Sequence, residues 1–99
     1  MTVKLIKRGT EGELLLEGRL DAVTAPDAEE LFLQMAERFE KLILNMEKLQ
    51  YISSAGLRVL KKTYMVSVKK NGVLELSHVN KLVMEVLEMT GFAGLLRIV

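Results

Sequence analysis

Leu42-Ile43-Leu44-Asn45-Met46-Glu47-Lys48-Leu49-Gln50-Tyr51-Ile52-Ser53-Ser54-Ala55-Gly56-Leu57-Arg58 decides the fold, because it reads as a strand followed by a helix. Leu42, Ile43 and Leu44 form a compact apolar run beside Asn45, the composition of a central strand covered on both faces. Further on, the adjacent hydroxyls of Ser53 and Ser54 stand where an apolar run meets a helix-like stretch. A helix is predicted to begin near Ser53 or Ser54 and to stop at Asn71-Gly72. Its expected core stripe is Leu57, Leu60, Tyr64 and Val68, and much of the remainder is basic. A phosphate added at its start would lie where a helix N-terminus welcomes negative charge.

Upstream, Val3–Arg8 and Glu13–Glu17 are short strand candidates. The turn Gly9-Thr10-Glu11-Gly12 between them predicts an antiparallel hairpin. Thr24-Ala25-Pro26-Asp27 carries helix-start chemistry: a Thr able to cap, a Pro in the first turn and an acid at the positive end of the dipole. Behind it Ala28, Leu31, Phe32, Met35 and Phe39 recur at helical spacing. Downstream, Val73–Ser77 reads as a strand, Asn80–Thr90 as a helix stopped by Gly91, and Leu95–Val99 as a last strand. The order β-β-α-β-α-β-α-β predicts an α/β fold, a mixed sheet with right-handed crossovers and helices packed against it.

The 99 residues predict one domain, 1–99, with a single core and a single site. Fourteen basic against thirteen acidic residues leave a net charge of +1, so no global field gathers nucleic acid or an anionic membrane. The lysines along the second helix read as a solvated face, since no aromatic residues interleave with them. The absence of cysteine excludes disulfides and thiolate catalysis. With no apolar run near the roughly 20 residues that span a bilayer and no signal-like start, the expected location is the cytoplasm. His78 is the only histidine, and there is no Gly-x-Ser-x-Gly elbow, Walker loop or GxGxxG fingerprint. The chain therefore reads as a non-enzyme with no cofactor and no metal site.

Three segments in order resemble the STAS domains, the family of bacterial anti-sigma factor antagonists. Gly18-Arg19-Leu20-Asp21-Ala22-Val23-Thr24-Ala25 is similar to that family's passage from the second strand into the first helix. Leu42–Asn45 followed by Leu49–Leu57 is similar to its strand, loop and phosphoacceptor region. Val86-Leu87-Glu88-Met89-Thr90-Gly91-Phe92 resembles the segment that closes its last long helix. The likeness covers almost the whole chain.

The resemblance implies a phosphoacceptor serine two positions before the glycine, which is Ser54, with Ser53 as runner-up where many phosphorylated members have Asp. It implies a partner-binding corner made of Asp21, Ser53, Ser54, Gly56, Leu57 and Arg58. It further implies that the unphosphorylated protein binds an anti-sigma factor, itself a serine kinase, and so releases a sigma factor. A serine phosphatase would reverse the mark. The residues alone also allow simple N-capping by either serine, worth about 1 kcal/mol. Capping and phosphorylation are compatible, and the amides of Gly56 and Leu57 are expected to face a phosphate on Ser54. The alternative within the same fold is a scaffold or ligand-binding module that is not phosphorylated, as in the STAS parts of anion transporters.

Overall fold

The computed structural model describes residues 1–99. A hairpin opens the chain: β1 (Thr2–Arg8) pairs antiparallel with β2 (Glu11–Leu20) through a turn of only Gly9 and Thr10. Gly9 takes the left-handed conformation that the tight turn demands, φ +59°. Gly12, predicted to share that turn, instead sits inside β2. A Cβ there would come 2.5 Å from the Phe39 ring, so the missing side chain makes room for the ring.

Beyond the hairpin, α1 (Ala25–Arg38) leads to β3 (Lys41–Ile52), α2 (Ser54–Lys69) to β4 (Val73–Ser77), and α3 (Lys81–Met89) through a one-turn α4 (Phe92–Leu95) to β5 (Arg97–Ile98). The sheet runs β1-β2-β3-β4-β5, parallel from β2 onward. The predicted final strand Leu95–Val99 shrinks because Gly91, at φ +81°, ends α3 and starts the extra helical turn. Each crossover steps in the same direction across the sheet, so right-handed connections bring α1, α2 and α3 onto one face. There Leu14 and Leu16 of β2, Leu42, Leu44 and Met46 of β3, and Leu76 of β4 meet Phe32, Leu60, Val83 and Leu87 of the helices in one cluster.

The opposite face of the sheet is open, which corrects the expectation that Leu42–Leu44 is covered on both sides. Leu42 and Leu44 have no exposure, whereas Ile43 between them is half-buried. A lattice of charges occupies that face instead. Arg8 bonds Glu11 and Glu13 at 2.9 and 2.8 Å, and Lys41 lies between Glu11 and Glu75. Arg97 closes on the buried Glu75 at 2.8 Å. Rows of opposite charge on neighbouring strands give a polar surface without unpaired buried ions.

Candidate functional site

The carboxyl ends of β2 and β3 meet the first turns of α1 and α2, the end of an open α/β sheet where ligands characteristically bind. Two register shifts in the β2–β3 pairing build this corner, between Leu15 and Glu17 and between Gly18 and Arg19. They change the buried spacing on β3 from Leu42, Leu44, Met46 to Leu49 and Ile52 without turning the strand off the core. β3 ends where the Ser53 amide donates to the Leu20 carbonyl at 3.0 Å.

Ser53 is extended, φ −101° and ψ 178°, and its Oγ accepts from the Gly56 amide at 3.4 Å. Its carbonyl accepts from the Leu57 amide at 2.9 Å. Both amides expected to face a phosphate on Ser54 are therefore engaged by Ser53. The amides of Ser54 and Ala55, at the first two helical positions, have no intrahelical acceptor. Ser54 is exposed and its hydroxyl has no protein partner.

Gly56 and Leu57 are buried. A Cβ on Gly56 would stand 2.7 Å from the Leu20 carbonyl oxygen and 2.8 Å from Ile52 Cγ1, so the glycine lets the helix seat directly on the strand ends. Arg58, one turn beyond Ser54, is exposed and forms no ion pair in the molecule. Of the six residues expected at the corner, Asp21, Ser53, Ser54 and Arg58 present surface, while Gly56 and Leu57 hold the helix in place.

Asp21 organises the neighbouring turn. Its Oδ1 accepts from the amides of Val23 at 3.0 Å and Thr24 at 3.1 Å. Thr24 Oγ1 accepts from the Asp21 amide and donates to the Arg19 carbonyl. The expected capping of α1 by the Thr24 side chain does not occur: its backbone is already helical, φ −89° and ψ −17°, and its hydroxyl points back into the turn. The Thr24 amide, more than the Val23 amide and the Arg19 guanidinium, holds the Asp21 carboxyl below its ordinary range against the opposing effect of burial.

Three residues outside the sequence expectation complete the surface. The Arg19 guanidinium lies 4.4 Å from the centre of the Tyr51 ring and 3.4 Å from Asp21 Oδ2. Val23 is 87% exposed at the tip of the turn. Only the pairing of Arg19 with Tyr51 across β2 and β3 brings these side chains together, and no local sequence signal announces it. His78 is exposed after β4 in the left-handed region, φ 53°, with no hydrogen bond to either serine.

A model of the STAS domain family matches residues 4–99. No curated protein matches the sequence. Among solved structures, one from Thermotoga maritima assigned as an anti-sigma factor antagonist superposes with a TM-score of 0.89 at 17% identity, over 97% of this chain and 84% of that one. The anti-sigma factor antagonist SpoIIAA in its unphosphorylated form gives 0.77 at 14% identity, over 99% of this chain and 87% of that one. A sulfate transporter family protein from Wolinella succinogenes gives 0.81 at 20% identity, over 94% and 79%. These likenesses establish a shared fold.

Proposed function

The chain belongs to the STAS domain family, and on that footing we propose that it is a cytoplasmic anti-sigma factor antagonist switched by phosphorylation of Ser54. In this reading the unmodified protein binds an anti-sigma factor that is also an ATP-dependent serine kinase, and so frees a sigma factor. The kinase ends the interaction by phosphorylating Ser54, and a serine phosphatase restores it. The observation that carries the reading is the division of labour between the two serines. Ser53 takes the capping role, while Ser54 presents an uncommitted, exposed hydroxyl on the first residue of a 16-residue helix.

That position accommodates a phosphate without rearrangement, because the helix dipole favours negative charge and two amides there lack acceptors. The partner surface in this reading comprises Asp21, Arg58 and the serines, with Gly56 and Leu57 acting through their placement of the helix. Val23 and the Arg19–Tyr51 stack extend it.

The test is co-purification of the Ser54→Ala chain from the source cell, identification of the bound protein, and reaction of the unsubstituted chain with it and ATP. Mass spectrometry should place one phosphate on Ser54 and none on the Ser54→Ala chain. A phosphate retained in full by that variant would transfer the assignment to Ser53. The similarity to a transporter-family protein supports the second reading, an unphosphorylated scaffold or ligand-binding module. Recovery of a partner that is neither a kinase nor an anti-sigma factor would favour it.

A further inference from the structure

Between the first turn of α1 and the first two turns of α2 runs a shallow groove floored by Ala22, Pro26, Ala55 and Val59, with Arg58, Lys62 and Glu29 at its rim. Lys62 Nζ is bound to Glu29 Oε1 at 2.9 Å, which leaves Arg58 as the one charged group on the groove without an ion-pair partner. Arg58 follows Ser54 by four residues, the separation that stacks two side chains on one face of a helix about 5–6 Å apart between Cβ atoms. Both are exposed.

Resting on the reading of Ser54 as the modified residue, we propose that Arg58 is the intramolecular receiver of its phosphate, so that modification removes the groove's one free cation as well as adding negative charge. A phosphoserine brings about −1.5 to −2 charges and three acceptor oxygens, and a guanidinium meets two of them with parallel N–H bonds. The unmodified chain offers Arg58 to a carboxylate of the partner, set over an apolar floor. The modified chain spends the same group on itself. This differs from plain repulsion in a measurable way. Repulsion alone predicts that losing Arg58 leaves the affinity of the unmodified chain unchanged, whereas capture predicts that it falls, because the partner loses the cation that the phosphate would otherwise withdraw.

Phosphoserine is installed at position 54 by semisynthesis, so the experiment does not depend on any kinase. Phosphorus NMR then follows its second ionisation in the otherwise unchanged chain and in Arg58→Gln and Arg58→Lys variants. In the unchanged chain the titration should fall at a pH lower by about half a unit than in Arg58→Gln. Arg58→Lys should lie between, because it keeps the charge and loses the fork. Coincident curves in all three chains, with circular dichroism showing the fold intact, would overturn the proposal. Where the co-purified anti-sigma factor serves as probe, calorimetry should show Arg58→Gln weakening the binding of the unmodified chain about tenfold. Unchanged affinity in that variant would return the switch to repulsion. Failure to recover an anti-sigma factor would count against the functional reading, while the phosphorus titration would still decide the role of Arg58.

Discussion

Gly56 is where one atom separates a seated helix from a displaced one. Replacing glycine by alanine inside an exposed helix ordinarily raises stability by up to about 1 kcal/mol, since the backbone loses less freedom on folding. At position 56 the added Cβ would lie 2.7 Å from the backbone oxygen of Leu20, which cannot swing aside as a flexible side chain does. Gly56→Ala should therefore lower stability by about 1–3 kcal/mol in urea denaturation. Gly94, in α4, is the contrast: a Cβ added there meets nothing within 4 Å, and Gly94→Ala should hold or raise stability in the same assay. Equal behaviour of the two variants would show that α2 does not rest on the strand ends as described. The sequence marks Gly56 as important to the corner, but for an amide expected to face a phosphate. Its actual neighbour is the chain's own Leu20, thirty-six positions away, and that proximity is invisible before the strands are paired.

At the scale of an element, β3 carries the sheet and one half of the site. It pairs with β2 on one side and β4 on the other, and its residues Leu42, Leu44, Met46 and Leu49 have no exposure. Leu44→Ala should cost about 2–5 kcal/mol by leaving a cavity under the helices. Ile43→Ala, on the open face, should cost clearly less, because its site is half-buried and the vacated space is solvated. Hydrogen exchange should find the Leu42–Met46 amides among the slowest, and exchange there as fast as at the termini would contradict the strand. The apolar run Leu42–Leu44 locates the strand, but β3 extends well past it. Leu42, Leu44 and Met46 alternate as a strand should, whereas Leu49 and Ile52 fall three residues apart, and a period-two reading stops there. The irregular pairing with β2 absorbs the extra residues. A bulge is a property of two strands, so a single strand's pattern reports it only as a break.

Over the whole molecule, charge and fold are arranged so that acid acts on both the sheet corner and the open surface. The Arg8 guanidinium first, and the Asn45 amide next, hold the Glu13 carboxyl below its ordinary 4.5 against the effect of burial. Asp21 is likewise held below its ordinary 3.8 by the Thr24 amide before its other partners. A carboxyl with a lowered value in the folded state stabilises the fold fully above its unfolded value. That contribution fades as pH falls through the folded one, because the unfolded chain then binds more protons. Melting temperature should therefore fall as pH drops below about 4.5, and Glu13→Gln and Asp21→Asn should each flatten the decline while lowering stability at neutral pH. An unchanged slope in both variants would place acid sensitivity elsewhere. Sequence alone determined the order of the long elements, the mixed sheet, the helix start at the paired serines and the STAS resemblance, because each rests on local periodicity, capping chemistry or a contiguous motif. Only the tertiary structure decided that one sheet face is open and laced with ion pairs, that Arg19 stacks on Tyr51, that Ser53 rather than Ser54 holds the Gly56 amide, and that Arg58 stands unpaired beside a groove. Those facts depend on which strands pair, in what register, and on which side the crossovers pass, and packing between distant segments sets all three together.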